Sequence, residues 1–277
     1  MIENEKIMNE FIINLVVCYA NEDEVINYST ELAKQSIRKK IILAVVVNKE
    51  NKGIKYLESG LNYSGIQYEI MNPEKNLGYL NGLMFGFKHC SKKSEWYILS
   101  NTDIQIPCED FLEKFIKNYK NDDQKWVIGP SVYAPNKRIY SNPYLRTRPS
   151  RNYYISKNFG MTFPQVYELL FRLKSKIKMN KTEIKSVSGQ VYAVHGSYMF
   201  VKNKLLQKIV ECADWELLYD EEQYIAEIAL QNNKQVYFDE SLLVYHMEGA
   251  STGMVNVSKR YNLMKKSNNR ILKEFYK

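Results

Sequence analysis

The segment Trp96-Tyr-Ile-Leu-Ser-Asn101-Thr-Asp103-Ile-Gln-Ile-Pro107 runs an apolar strand into a short polar tip that ends on a carboxylate. A buried strand that stops on Asp103 carries it to the carboxyl edge of a sheet, where open α/β folds bind ligands. Hard divalent cations take oxygen ligands, and Mg²⁺ commonly binds one or two carboxylates together with substrate phosphates. Asp103 therefore reads either as an anchor for a metal–diphosphate group or as the turn residue that caps its strand. Tyr219-Asp220-Glu221-Glu222 places three carboxylates in succession. They suit proton abstraction from a hydroxyl, or stabilisation of a helix N-terminus. His246 opens the loop His246-Met-Glu-Gly-Ala-Ser-Thr-Gly253, where an imidazole can hold a metal or serve as a structural hydrogen-bonder.

Elements must position these groups. Apolar runs predict strands at Leu15–Tyr19, Ile41–Val47, Ile66–Met71, Trp96–Ser100 and Trp126–Tyr133. Helices are expected from the polar turn after Ala20 to about Gln35, over Leu80–His89 and over Glu109–Tyr119. This alternation predicts a mostly parallel central sheet with helices on both faces. Tyr133–Arg151, rich in Pro, Asn, Arg and Tyr, reads as an irregular excursion. A helix over about Phe163–Lys178 follows, with Phe163, Val166, Leu170, Leu173 and Ile177 on one face and a capping box in Thr162-Phe-Pro-Gln165. Gln190–Val201 is a strand-like run interrupted by His195-Gly196-Ser197. Helices at Lys204–Val210 and Glu221–Gln231 and short strands at Gln235–Phe238 and Leu242–Tyr245 complete the pattern.

The net charge of +8 is unevenly spread. Between Lys137 and Lys185 the only acids are Glu168 and Glu183, and the tail from Lys259 to Lys277 holds Glu274 alone against seven basic residues. Basic surface attracts nucleic acid, anionic lipid or phosphorylated substrates, or simply solvates a face. In the tail, Tyr261, Met264, Ile271, Leu272 and Phe275 add an apolar seam. Basic amphipathic helices of this kind lie on anionic membranes or pack on their own core, and membrane contact is favoured here over nucleic acid. No run approaches the ~18 apolar residues of a membrane span. The acidic start, Met1-Ile-Glu-Asn-Glu-Lys, lacks a secretory signal's basic region. Cys18, Cys90, Cys108 and Cys212 are scattered, as suits reduced thiols. A cytoplasmic protein, peripherally associated with the inner face of the cell membrane, is expected.

Several features stand in order along the chain: Cys18-Tyr-Ala-Asn21, Val47-Asn48, Asn76-Leu-Gly78-Tyr79-x-x-Gly82-x-x-x-Gly86, Asn101-Thr-Asp103, the acidic run at 219–222, and Tyr245-His246…Gly249-x-Ser251-Thr252. Together they resemble glycosyltransferase family 2, inverting enzymes of the GT-A fold, most closely its rhamnosyltransferase-like and exopolysaccharide branch. The resemblance covers roughly residues 11 to 255. It implies one GT-A domain over 1–255, with a nucleotide-sugar half (1–133), a basic insert (134–188) and an acceptor half (189–255), followed by the basic amphipathic tail 256–277. By the same resemblance, Cys18, Tyr19, Ala20, Asn48, Asn76, Gly78, Asn101 and Asp103 bind the nucleotide sugar. Asp103 and His246 hold a divalent metal, Mn²⁺ or Mg²⁺. Glu222 occupies the position of the family's catalytic base, with Glu221 and Asp220 as alternatives, and Gly196 and Ser197 lie on the acceptor side. Where the family has Asp against the base, this chain has Asn48, and Leu83 and Met84 replace two common Asn.

The expected reaction is inverting, non-processive transfer from a UDP- or dTDP-sugar to a glycan acceptor, lipid-linked, in cell-surface polysaccharide synthesis. The Gln-x-x-Arg-Trp of processive synthases is missing: Trp96, Trp126 and Trp215 are the only tryptophans, and none completes it. The turn after the first strand has none of the glycines of a dinucleotide fingerprint, and there is no P-loop. A catalytically inactive homologue, binding nucleotide sugar or scaffolding at the membrane, is the rival reading. No nucleic-acid motif accompanies the basic segments.

Overall fold

Short runs rich in Ile, Val and aromatic residues become strands because branched and flat side chains pack well on a pleated surface. In a computed structural model, which describes residues 11–169, 186–211, 219–248 and 256–276, ten such strands form one sheet. They are β1 (Ile12–Tyr19), β2 (Ile41–Lys49), β3 (Gln67–Met71), β4 (Trp96–Ser100), β5 (Ile104–Gln105), β6 (Lys125–Ala134), β7 (Ile139–Tyr140), β8 (Gly189–Val191), β9 (Tyr198–Lys202) and β10 (Gln235–His246). The order across the sheet is β3-β2-β1-β4-β9-β6-β10-β5, with β7 on β6 and β8 on β10. Neighbours β3, β2, β1 and β4 are parallel, as are β6 and β10, while β9 runs antiparallel between β4 and β6.

Eight helices have defined bounds: α1 (Glu22–Ala33), α2 (Ile54–Ser64), α3 (Tyr79–His89), α4 (Phe111–Tyr119), α5 (Arg151–Gly160), α6 (Asn203–Glu211), α7 (Glu221–Gln231) and α8 (Val257–Phe275). Strand alternation splits the core between the two faces of the sheet. Ile13 and Leu15 of β1 pack with Leu80, Leu83 and Phe87 of α3 and with Leu205, Ile225 and Ile271. Ile12, Val16 and Cys18 face the other way, onto Val25 and Leu32 of α1, Leu57 of α2 and Phe111 and Phe115 of α4.

Three departures from the expected elements matter for the site. The run at 190–201 is two strands: β8 pairs with β10, and β9 lies between β4 and β6, with Ala193 bridged to Leu145 and the chain turning at 196–197 between them. The two short strands near the end are the single β10, whose pairing with β6 slips between Asp239 and Leu243. The excursion after Tyr133 contains β7 and closes into α5, where Ser150 Oγ accepts the Tyr153 N–H at 3.2 Å as an N-cap.

Of the expected basic helix, 164–169 is helical, while Leu170, Leu173 and Ile177 lie outside the described residues, as do Cys212, Trp215 and Gly249-x-Ser251-Thr252. The tail is the 19-residue α8, and its seam is turned inward: Ile271 is fully buried, and Leu272 and Phe275 pack on the core. Among the described residues no helix is long and apolar enough to cross a membrane.

Beneath the end of β4 lies a closed polar triad. Asn14 Nδ2 donates to Ser100 Oγ (2.8 Å), Tyr28 Oη donates to Asn14 Oδ1 (2.6 Å), and Ser100 Oγ donates to Tyr28 Oη (3.1 Å). All three side chains are buried, so the loss of one partner strands the others. Asn14→Leu is expected to cost about 1–3 kcal/mol in urea unfolding. The triple variant Asn14→Leu/Tyr28→Phe/Ser100→Ala should recover much of that loss, and additive losses across the series would contradict a closed network.

Candidate active site

At the carboxyl edge of the sheet the chain encloses a cavity of about 400 Å³. Val17 and Tyr19 reach it from β1, Leu80 and Leu83 from α3, Leu99 from β4 and Met199 from β9. Its polar lining includes Asn21, Glu24, Asn48, Asn76, Asn101, Thr102, Asp103, Ser197, Glu221 and Glu222. An apolar pocket of this size with a few convergent polar groups is the usual form of a small-molecule site.

Asp103 reaches the site because the chain leaves β4 and crosses the sheet's edge to pair with the end of β10. Ile104 stands opposite His246 in antiparallel register, and the Met247 N–H donates to the Asp103 carbonyl at 2.9 Å. This pairing sets His246 Nε2 3.3 Å from Asp103 Oδ1. The Asn101 amide nitrogen lies 3.3 Å from the same Nε2, so that ring nitrogen is an acceptor when the amide donates. Two ligands bound to one octahedral cation at ~2.1 Å lie about 3 Å apart, so the Asp103–His246 spacing fits a shared Mg²⁺ or Mn²⁺. Among the described residues no group of three or more His, Cys, Asp or Glu is placed to hold a metal ion. A cation held there would have one carboxylate and one imidazole from the protein, with other positions left to ligand oxygens and water.

On the opposite wall stand the three acids. Tyr219 (φ 80°) and Asp220 (φ 60°) both adopt left-handed backbone before α7 begins, a costly arrangement for non-glycine residues that turns the first helical residues into the cavity. Asp220 is claimed by structure: Lys157 Nζ of α5 donates to its Oδ1 at 3.0 Å, and Gln223 Nε2 donates at 2.6 Å. Glu221 Oε1 folds back to accept the Tyr219 N–H at 2.8 Å. Glu222 Oε1 instead reaches across to accept the Gly196 N–H at 3.0 Å. A β-carbon at position 196 would come within 2.7 Å of that oxygen, so glycine is what admits the contact. Burial, then the Glu222 charge, pushes Glu221 above the carboxylate range, and burial, then Asp220, raises Glu222.

The turn bearing Gly196 is tied to both walls. The Asn101 N–H donates to the Ser197 carbonyl at 2.9 Å, and Tyr79 Oη donates to the Gly196 carbonyl at 3.1 Å. His195 Nδ1 accepts the Ser197 N–H at 3.1 Å, and burial lowers this ring to about 4, with His246 and Lys137 adding to the effect. His195 is therefore neutral at pH 7, and its ring serves the turn as a hydrogen-bond acceptor.

Most of the residues singled out from sequence line this cavity; His246 contacts Asp103 without lining it, and Cys18 and Ala20 stand elsewhere. Cys18 does not reach the cavity: strand alternation sends its side chain into the opposite core, where it is fully buried. Ala20 is not in the lining either. It turns the chain at φ 59°, and its N–H donates to the Lys49 carbonyl at 2.8 Å. Asn48 lines the cavity while its amide holds the neighbouring turn, donating to the Gly78 carbonyl at 2.8 Å and accepting the Leu77 N–H at 3.4 Å. Asn76 Oδ1 accepts the Gly78 N–H at 2.9 Å, and Gly78 takes φ 77°, open to glycine at little cost. Sequence reasoning missed Tyr79, although it follows Gly78 in the quoted motif. It also missed Asn21, Thr102 and Glu24, which bond to one another at the end of β1, and Lys259 of α8.

No protein-family model matches the chain, and no curated protein matches it by sequence. Solved structures do. A mannosyltransferase from Pyrobaculum calidifontis, in complex with GDP-Man and Mn²⁺, superposes with a TM-score of 0.57 at 12% identity, over 88% of this chain and 59% of its own. S. aureus TarS 1–349 with UDP-GlcNAc gives 0.55 at 14% identity, over 95% of this chain and 73% of its own. GalNAc-T7 with UDP, GalNAc and Mn²⁺ gives 0.59 at 12% identity, over 95% of this chain and 48% of its own. The fold is GT-A. This chain thus spans about half to three-fifths of the length of two of these proteins. In its GT-A sheet, the cavity lies at the carboxyl ends of β1 and β4 and the start of β9.

The raised Glu221 carboxyl gives a stability signature. Its folded value lies above the ordinary 4.5, so the folded state favours the proton. The resulting penalty is absent below that ordinary value and grows as pH rises toward the folded value. Glu221→Gln is therefore expected to raise Tm by about 2–4 °C at pH 8, with the gain fading toward pH 4.5. A pH-independent difference in thermal melts would contradict this.

Proposed function

We propose that this chain is a metal-dependent, inverting sugar transferase of glycosyltransferase family 2, in its rhamnosyltransferase-like branch. The observation that carries the reading is the placement of Asp103, which His246 contacts at 3.3 Å, and of Glu222 around one cavity, with Gly196–Ser197 linking the two walls. Asp103 and His246 would hold Mn²⁺ or Mg²⁺, which when bound supplies positive charge against a diphosphate. Tyr19, Asn48, Asn76, Gly78 and Asn101 would seat the UDP or dTDP portion of the donor. The start of α3 adds main-chain N–H groups and dipole at the same place.

Glu222 is the base in this reading because the other two acids are engaged elsewhere. Asp220 is paired with Lys157, and Glu221 is bent back to the Tyr219 N–H, whereas Glu222 reaches the turn at Gly196. Glu222 takes the proton of an acceptor hydroxyl held near Gly196 and Ser197. The hydroxyl oxygen then bonds to the anomeric carbon as the bond to the diphosphate oxygen breaks, with inversion. The Gly196 N–H holds the carboxylate in place for that transfer.

The acceptor is proposed to be a lipid-linked glycan precursor in cell-surface polysaccharide synthesis, met at the inner face of the membrane. Phe159, Phe163, Val166 and Leu169, all more than half exposed, precede a run that is basic in sequence, the composition of an anionic membrane contact.

Nucleoside diphosphate release from UDP- and dTDP-sugars, with NMR of the product anomer, tests the reading. Glu222→Gln is expected to lower kcat by about 10²–10⁴ while donor binding persists. A product that keeps the donor's anomeric configuration, or full turnover in Glu222→Gln, would overturn it.

A further inference from the structure

One face of α8 takes no part in the core. Lys259, Asn262, Lys266, Asn269 and Lys273 recur at spacings of three and four, and all five are exposed. They form one stripe on the side opposite the buried Tyr261 and Ile271. From Lys259 to Lys273 the stripe runs about 21 Å at the helical rise. Its first residue lines the catalytic cavity, and so does Leu263 one turn on. Both also line a second, open groove of about 660 Å³ that continues along the stripe through Asn262, Lys266 and Asn269 and contains no carboxylate.

We infer that this stripe is the track for the acceptor, and that the acceptor carries phosphate. This rests on the sugar-transfer reading of the adjoining cavity and deepens it by naming the substrate's chemistry. Ammonium groups two turns apart match phosphates repeated along a chain, and the amides between them pair with sugar hydroxyls without adding charge. A lipid surface fits less well, because a membrane-bound helix faces the acyl boundary with an apolar stripe, and α8 spends its own on the core. Nucleic acid fits less well too, since the stripe offers no aromatic ring for stacking. Continuity with the cavity makes the stripe an acceptor site: a chain laid along it ends in the cavity that Glu222 lines.

The test compares wild type with Lys266→Gln/Lys273→Gln, two positions outside the catalytic cavity. The probes are a dye-labelled phosphomannan oligosaccharide, its phosphatase-treated neutral form, 1:1 phosphatidylglycerol–phosphatidylcholine vesicles and single-stranded RNA. Wild type is expected to prefer the phosphorylated oligosaccharide over the neutral form by about tenfold or more at low salt. The variant should lose that preference while its UDP or dTDP thermal shift is unchanged. Equal binding of the two forms by wild type, or an undiminished preference in the variant, would overturn the inference. So would a loss in the variant confined to vesicles or RNA. Failure of the underlying sugar-transfer reading would appear separately, as no nucleotide shift in wild type.

Discussion

Asp103 Oδ1 and His246 Nε2 face each other at 3.3 Å, a contact met either by a proton on the ring nitrogen or by a cation shared between the two. The contact does not come from local sequence, since 143 residues separate the two. It comes from sheet topology. The chain leaves the central β4, crosses the edge of the sheet and lays the two-residue β5 against the last residues of β10, which places the carboxylate and the ring at adjacent positions. The triad of Asn14, Tyr28 and Ser100 fixes the strand just before this crossing. Core and site are therefore linked through Ser100 and Asn101.

The other wall shows how three neighbouring acids acquire different properties. Asp220 has a cation, Glu221 has its own turn, and Glu222 has the main chain of a different strand connection. A buried ion pair such as Lys157–Asp220 is weak evidence for stability, but breaking it leaves an uncompensated charge. Its consequence here is electrostatic: a neutralised Asp220 presses less on Glu222. The α5 helix that brings Lys157 also holds Asn268 of α8, at 3.3 Å from Nζ, so one ammonium joins the acids to the tail helix.

Much of this was legible from local pattern. Strand ends placed Asp103 and His246 at one edge, and the acidic run before a helical period located α7. The misses have physical causes. At Cys18 a motif position was weighed above strand alternation, although the apolar residues on either side already implied opposite faces. At 190–201 a continuous apolar run concealed two strands that pair on different parts of the sheet, and the interrupting His195-Gly196-Ser197 was the visible sign. The Ser150 cap of α5 was readable but hidden in a Pro- and Arg-rich stretch. Lys157–Asp220, Tyr79–Gly196 and the approach of Lys259 to the cavity depend on packing between distant elements, which no local period encodes. Asn48 was assigned to the nucleotide through the family resemblance, yet its use in holding the Leu77–Gly78 turn is a property of the folded loop.

The central claim is that the Asp103–His246 pair is completed by a divalent cation that a pyrimidine diphosphate shares. Thermal melts of wild type and Asp103→Ala with UDP, dTDP, GDP or NAD, each with Mn²⁺ or chelator, test it most directly, because a ligand that binds only the folded state raises Tm by mass action. Stabilisation by UDP or dTDP that requires Mn²⁺ and disappears in Asp103→Ala is the predicted result. Metal-independent stabilisation, or none by any nucleotide in the presence of Mn²⁺, would contradict the account.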